Sequence, residues 1–437
     1  MGRLADLGRA LSHRNYRLYV IGQGVSLIGT WMQQVGLSWM VYEATNSSLL
    51  LGLVSFSGQI PSLFLAPIAG VLSDRWNRHR TLLVTQSLAM VQALLLVGLM
   101  LFGTPAVWQI IPLALAAGLI NAFDLPTRQA FLVDMIADRR DLPNAIAINS
   151  SIVNLTRLIG PFLAGVVIAA GGSITCFLLN ALSFVAVLIG LLMMRDLPPQ
   201  KAKPTGTIRE GLVEGIRYAW TFRPIRALLM MMSLVSLCGM AQSVIMPVFA
   251  SKILKGGPLL FGFLSGASGC GALASAVYLA SRKTVLGLGK RMAWATGIFG
   301  LGLIGFSLST SIPLSIGLLV VTGFTMMLQM ASSNTLIQTI ADEDKRGRVL
   351  SLYAMAFMGS APIGSLMAGT LAERFGPTVP PQVAGVVCLI GAAVFARVYP
   401  MLREDVVPIY RKAGILPPVA AAVEEVAELT EPPEHAA

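Results

Sequence analysis

Arg157 stands about fourteen positions into an apolar run that begins near residue 143, which puts it about 21 Å along a helix at 1.5 Å per residue. A cation at the centre of a bilayer costs about 2.5 to 3.5 kcal/mol on the insertion scale, so it calls for an acidic partner or a hydrated cavity. Asp124, late in the preceding apolar run, is the nearest acid in the topology. The two depths differ by about 12 Å, so the Arg157 side chain reaches it only if the helices tilt. Three chemistries stay open. Asp124 binds a proton and releases Arg157 when neutralised; or Arg157 holds an anionic ligand directly; or Asp124 merely pairs with Arg128 one turn on, or with the loop of Arg78. Glu43 and Glu373 lie at the outer ends of their runs, and the first run has no central carboxylate with which to capture a cation.

Gln23, Ser26, Thr30, Gln33 and Gln34 recur at spacings of three and four in the first run and share one helical face. A polar stripe at membrane depth must face protein or water. Its two readings are a cavity lining and helix-to-helix hydrogen bonds of about 0.6 kcal/mol each. Asn121, Gln242, Gln329, Ser332 and Ser333 are polar residues at comparable depth in other runs. Trp31, Trp39, Met326, Met327 and Met330 offer either the adaptable apolar wall of a broad-specificity pocket or ordinary packing.

Other chemistries lack residues. The three histidines, His13, His79 and His435, fall in loops or tails, so a membrane-buried base or metal site has nothing to use. Cys176, Cys238, Cys270 and Cys388 are far apart without paired spacing, which supports neither a disulfide framework nor a zinc site. No phosphate-binding glycine loop is present. Neither enzyme activity, a cofactor nor a metal is expected.

These residues have to be carried by membrane helices. Of the 437 residues only 12% are charged, against roughly 25% in soluble proteins, while 55% are apolar and the mean hydropathy is +0.73. About twenty apolar residues cross the hydrocarbon core. Runs of that length fall at 18–42, 49–73, 81–102, 107–130, 143–170 and 173–194, then at 224–250, 259–281, 291–310, 312–335, 348–372 and 379–402. Alternate loops hold 28 of the 32 Lys and Arg residues, and the remaining loops only Lys252, Lys255 and Arg374. The positive-inside rule therefore predicts both termini on the cytoplasmic side of a cell membrane, and topology rather than nucleic acid explains the net charge of +11.

Leu132 to Asp138 (LVDMIAD) and Leu336 to Asp342 (LIQTIAD) lie 204 residues apart, the offset that also relates Gly165 to Gly369. Two six-span halves, 1–194 and 224–402, account for this, with a site expected near the midplane where they meet. In the linker 195–223, Ile208, Leu212, Ile216 and Trp220 beside Arg209 and Arg217 predict an interfacial amphipathic helix. The Ala/Pro/Glu-rich end, 403–437, reads as a disordered cytoplasmic tail.

Between the second and third runs stands Gly70-Val-Leu-Ser-Asp74-Arg75-Trp-Asn77-Arg78-His79-Arg80. This resembles the G-x3-D-[RK]-x-G-x-[RK]-[RK] loop of the major facilitator superfamily, with Asn77 at the family's Gly, a residue that tolerates a left-handed turn, and His79 at a position that is usually basic. The resemblance implies that the cluster of Gly70, Asp74, Arg75, Asn77, Arg78 and Arg80 holds one cytoplasm-closed state. The second-half copy is degenerate, with no acid between Gly271 and Arg291. Gly160-Pro161-Phe-Leu-Ala164-Gly165 is similar to the fifth-span motif of the superfamily's antiporters, with Ala164 replacing Gly. Together with the first run, Pro126-Thr127-Arg128-Gln129-Ala130 and Arg346-Gly347-Arg348-Val349, the chain over roughly 10–402 looks like the enterobactin-exporter and drug-efflux subgroup.

The resemblance implies an all-α membrane fold of twelve helices in two pseudo-symmetric halves. It implies a central cavity lined by spans one, four, seven and ten, which is what makes Asn121, Gln242, Gln329, Ser332 and Ser333 cavity candidates. It also implies proton-coupled export of a small amphipathic molecule, siderophore or drug, by a single copy in the bilayer. A lipid or lysolipid flippase on the same fold and a transport-dead sensor or scaffold are the alternatives. A sensor would not need a polar stripe across its first span.

Overall fold

The computed structural model describes residues 8–416 except 137, 196, 198–207, 283 and 344, and, of the side chains, all but those of 66, 67, 70, 71, 73–75 and 208–213. Among the described residues the chain is helical throughout its regular structure. The helices are α1 (Arg14–Thr45), α2 (Ser48–Arg75), α3 (Arg78–Leu101) and α4 (Val107–Asp134). Leu142–Leu192 breaks at Gly172, whose φ of 74° suits a residue without Cβ, into α5 (142–171) and α6 (173–192). Then come α7 (Ile208–Thr221), α8 (Arg223–Val248) with a π-helical extension (Phe249–Ile253), α9 (Pro258–Ala280), α10 (Leu288–Leu308), α11 (Ile312–Ile340), α12 (Arg346–Phe375) and α13 (Val379–Lys412).

Ten stretches are long and apolar enough to cross a membrane, and one of them, Arg139–Leu192, holds both α5 and α6. The twelfth spanning helix is α1, whose 32 residues have the length while the Gln/Ser/Thr stripe lowers its hydropathy. The polypeptide is a multi-pass membrane protein of twelve spanning helices in two halves, α1–α6 and α8–α13, with α7 between them. Exposed Ile21, Leu95, Leu182, Val277, Leu301 and Ile390 face outward as a lipid-contacting surface.

Within lipid, helices associate through small residues that let backbones approach. Gly22, Gly29 and Gly36 seat α1 on α6, and Gly118 seats α4 on Gly58 of α2. Two seams join the halves, α2 with α12 and α5 with α9. In each, a pair of glycines brings backbones together: a Cβ on Gly52 would lie 2.9 Å from the Cα of Gly369, and one on Gly165 would lie 2.8 Å from the Cα of Gly262. Gly165 and Gly369 are the residues related by the 204-residue offset, so the internal repeat has become a symmetric pair of inter-half contacts.

The side of the molecule on which α1 starts and α13 ends is the terminal side; the opposite one is the far side. All the hydrogen bonds, ring contacts and glycine approaches that join α1–α6 to α8–α13 among the described residues sit on the far side or at mid-depth. Glu373 accepts from Ser48 N, Leu49 N and the Ser47 hydroxyl; Trp39 stacks on Phe261; Lys252 lies over the Tyr42 ring. Deeper in, Gln59 donates to Ser365, and Gly269 abuts Arg157 and Leu158.

Two expectations need correction. α13 runs ten residues past 402, to Lys412, because Leu402 and Val406 bury against α8 and α10–α11 residues and Ile409 and Tyr410 pack on that cluster; a tail therefore cannot begin at 403, and residues 417–437 lie outside the described ones. Asn77 is not left-handed: with φ −64° it caps α3, its Oδ1 accepting from Arg80 N at 3.0 Å, a role for which Asn is among the best residues. In α7, Ile216 and Trp220 are exposed while Ala219 is buried, and Glu214 pairs with Arg348 of α12 at 2.5 Å; the side chains of Ile208 and Leu212 lie outside the description.

Candidate transport cavity

α4 carries Asp124 with its side chain buried, facing α3. Thr85 Oγ1 donates to Asp124 Oδ1 at 2.8 Å and Gln86 Nε2 donates to the same oxygen at 2.7 Å, while Arg128, one turn on, donates to Oδ2. A carboxylate removed from water needs its lone pairs met by donors and its charge met by a cation, and all three groups do so from two helices. Asp124 therefore pairs with Arg128, not Arg157. The reason is depth: Arg128 is on the same helix face at i+4, where ion pairs form without helix tilt.

Asp124 and Arg128 border a cavity of about 320 Å³ inside the first half, lined also by Thr30, Gln33, Gln34, Gln92, Asn121 and Asn180. Gln33 is held between two helices: Asn180 Nδ2 donates to its Oε1 at 2.7 Å, and its Nε2 donates to Gln92 Oε1 at 2.9 Å. Gln92 passes the chain on to the carbonyl of Leu113 at 3.2 Å.

A second cavity of about 250 Å³ opens between the halves, lined by Trp31, Arg157, Pro161, Gln242, Met246, Met326, Met327, Met330 and several serines. Gln34, Ser38, Ser55 and Gln59 line both spaces, so the two are adjoining lobes separated by these four side chains. The Arg157 guanidinium lies 5.6 Å from the Trp31 ring centroid, a cation–π geometry, and has no hydrogen bond or ion pair among the described residues. Gln242 is buried and its Oε1 has no partner there.

The sequence candidates divide accordingly. Thr30, Gln33, Gln34, Asn121, Asp124, Arg157 and Gln242 line the cavity, with Trp31 and Met326, Met327 and Met330. Gln23 and Ser26 are buried against neighbouring helices and do not line it. Gln329, Ser332 and Ser333 are fully buried within the second half, Gln329 donating to Ser333 at 3.2 Å. α11 turns its methionine face, not its amide face, to the cavity. Gly160 meets the Trp31 side chain and Gly165 meets Gly262, so this motif packs α5 against α1 and α9 at once.

In the α2–α3 loop, Gly70, Asp74 and Arg75 have side chains outside the description. Arg78 bridges to α4, its Nη1 within 3.0 Å of both Asp134 oxygens, while Arg80 is exposed. Asp134 was not singled out in the sequence, although it opens no apolar run and follows Asp124 by ten residues on the same helix. His79 contacts the Leu191 carbonyl at 2.8 Å, which fastens the loop to α6.

A family model described as transmembrane secretion effector matches residues 9–425. The chain belongs to that family. It is a transporter family of the major facilitator type, not a family of enzymes. Among its relatives, the staphyloferrin A transporter of Staphylococcus aureus is 27% identical, covering 80% of this chain and 87% of its own. The multidrug efflux pump Tap of Mycobacterium tuberculosis is 28% identical over 92% of this chain and 95% of its own, and the enterobactin exporter EntS of Shigella flexneri is 24% identical over 92% and 95%. In overall fold the chain is similar to a bacterial homologue of the lysosomal transporter Spinster, with a TM-score of 0.72 at 12% identity over 90% of this chain and 98% of that one. It is likewise similar to a bacterial homologue of ferroportin, with a TM-score of 0.66 at 18% identity over 88% and 98%.

Proposed function

We propose that this protein is a proton-coupled exporter of a small amphipathic molecule, acting as a single copy in a bacterial inner membrane with its terminal side in the cytoplasm. The halves 1–194 and 224–402 rock about the central cavity, tethered by 195–223. The observation that carries the reading is the buried Asp124–Arg128 pair at the edge of a cavity that adjoins the one between the halves, with the inter-half bonds gathered on the far side. Such a structure faces its substrate from the cytoplasm.

Protonation of Asp124 neutralises the one charge that fixes Arg128, Thr85 and Gln86 together, and frees Arg128 to turn toward the cavity. That couples a proton to the packing of α3 on α4. A proton moving down 100 mV yields about 2.3 kcal/mol, which supports roughly fifty-fold accumulation per proton. The loop of Gly70, Asp74, Arg75, Asn77, Arg78 and Arg80 would brace the alternate, cytoplasm-closed state, with Asp134 receiving Arg78. The substrate classes named for the relatives, siderophores and drugs, are the first to try.

Transport in proteoliposomes under an imposed pH gradient tests the reading. Substrate-dependent proton movement by the wild type, lost in Asp124→Asn, is the expected result. Proton-independent movement retained in the variant would shift the assignment to a uniporter or a lipid carrier. An apolar groove of about 390 Å³, lined by Leu158, Phe162, Phe263, Gly266 and Cys270 on the outer side of the α5–α9 seam, favours the lipid carrier as the second reading.

A further inference from the structure

Arg157 is the one charged residue among the described residues that line the space between the halves. Among the described residues its lining contains no Asp or Glu, and the carboxylate of the adjoining lobe, Asp124, is already held by Arg128, Thr85 and Gln86. Taken together, the described residues lining the two spaces include two cations, Arg128 and Arg157, and one anion, Asp124, a net charge of +1. Around Arg157 stand a Trp ring face, five methionines (Met240, Met246, Met326, Met327 and Met330) and the hydroxyls of Ser38, Ser55, Ser243, Ser265, Ser268 and Ser365. Arg157 is partly buried and opens onto this space, so a cation at that depth with no counter-charge among the described residues is tolerated by facing a polar cavity and is available to a partner that enters it.

We propose that Arg157 recognises the anionic head of the substrate, a carboxylate or phosphate oxyanion, and that the Trp31 and methionine surface receives an aromatic or aliphatic body. Resting on the transport reading above, the inference narrows the substrate class from any amphipathic molecule to amphipathic anions. Two donors of the guanidinium match a planar or tetrahedral oxyanion in a fork, while serine hydroxyls and Gln34 and Gln59 supply neutral bonds around it. Flexible thioethers let the body vary in shape. A cation of the same body would face Arg157 in a space with no free carboxylate among the described residues, and like-charge juxtaposition there is unfavourable. The head comes either from a free small molecule or from an anionic lipid drawn in across the α5–α9 seam, where Arg157 and Pro161 face the cavity while Leu158 and Phe162 line the outer groove.

Equilibrium binding to the full chain in nanodiscs of neutral lipid, with no pH gradient, is the test. The probes are 2-naphthoate, 2-naphthylmethylammonium, the neutral 2-naphthamide and dioctanoyl phosphatidylglycerol. The expected result is that naphthoate binds on the order of tenfold to a hundredfold more tightly than the ammonium probe, that Arg157→Gln abolishes the preference, and that Arg157→Lys keeps part of it. Phosphatidylglycerol binding that competes with naphthoate assigns the head to a lipid, and naphthoate binding without such competition assigns it to a free anion. Equal affinity of the wild type for anion and cation overturns the proposal without any variant, as does unchanged naphthoate binding by Arg157→Gln. Transport is scored separately. Proton-coupled movement of a neutral or cationic molecule, undiminished in Arg157→Gln, sinks the anion site and leaves the exporter; Arg157-dependent binding with no transport of any probe sinks the exporter and leaves the site.

Discussion

The carboxylate of Glu373, in the last turn of α12, accepts from the backbone amides of Ser48 at 2.8 Å and Leu49 at 3.2 Å, in the first turn of α2, and from the Ser47 hydroxyl at 3.1 Å. One half of the molecule thus caps a helix of the other, placing a negative charge where the α2 dipole is positive and its amides lack intrahelical partners. Opening of the far side has to break all three bonds.

Glu373→Ala is accordingly expected to favour the far-side-open state. A lost cap is worth about 0.5 to 2 kcal/mol, or roughly a twofold to thirtyfold shift in population. Spin labels at Asn46 and Thr378, on the two sides of this contact, should show a longer distance component in the variant. An unchanged distance distribution would mean that the glycine seams alone hold the closure.

The Asp124–Arg128 pair predicts an asymmetry in stability. Arg128→Leu leaves a buried carboxylate without its cation, at a cost of about 3 to 5 kcal/mol, whereas replacing both partners by apolar residues costs much less. The thermal midpoint in detergent should therefore fall further for Arg128→Leu than for Asp124→Leu/Arg128→Leu. The reverse order would show that Arg128 is held by other groups.

Gln33 and Gln34, neighbours in the chain, should behave differently. Gln33→Leu strands Asn180 and Gln92 in the interior, about 1 to 3 kcal/mol for each group left unsatisfied, and the loss should appear in unfolding. Gln34 faces both lobes and makes no side-chain hydrogen bond among the described residues, so Gln34→Ala is expected to change stability by less than about 0.5 kcal/mol. It should instead weaken substrate binding.

Gly262→Val places two methyl groups against the backbone of Gly165 and the Pro161 carbonyl, where even a Cβ would come within 2.8 Å. The α5–α9 seam cannot then close on the far side. Transport should be lost while the Asp124–Arg128 region, a helix layer away, keeps its structure; the check is transport beside the unfolding midpoint.

Much of the architecture was legible because the bilayer imposes it: charge-free runs of membrane length and the placement of Lys and Arg leave few alternatives. The repeat was legible too, in LVDMIAD and LIQTIAD, each of which leads from the fourth helix of its half into the fifth. Rotation about a helix axis was not. In α11 the amide face of Gln329 and Ser333 and the methionine face of Met327 and Met330 are both periodic, and nothing local says which one meets the cavity. Arg157 was rightly read as a deep cation, but its lack of a partner depended on where Asp124 points, and that is decided by Thr85 and Gln86 from another helix. Asn77 shows a further limit, since a residue suited to a left-handed turn is equally suited to capping the helix that follows.

Gln34, Ser38, Ser55 and Gln59 belong to both lobes, and this has a thermodynamic corollary. If, as proposed, the substrate enters beside Arg157 and the proton binds Asp124, a ligand that repositions these four side chains changes the affinity of the other lobe. Linkage is reciprocal: a ligand that makes the proton bind tenfold more weakly is itself bound tenfold more weakly once the proton is on. The obligatory exchange that separates a pump from a leak would then reside in four shared polar side chains, with no need for a signal to travel between distant sites.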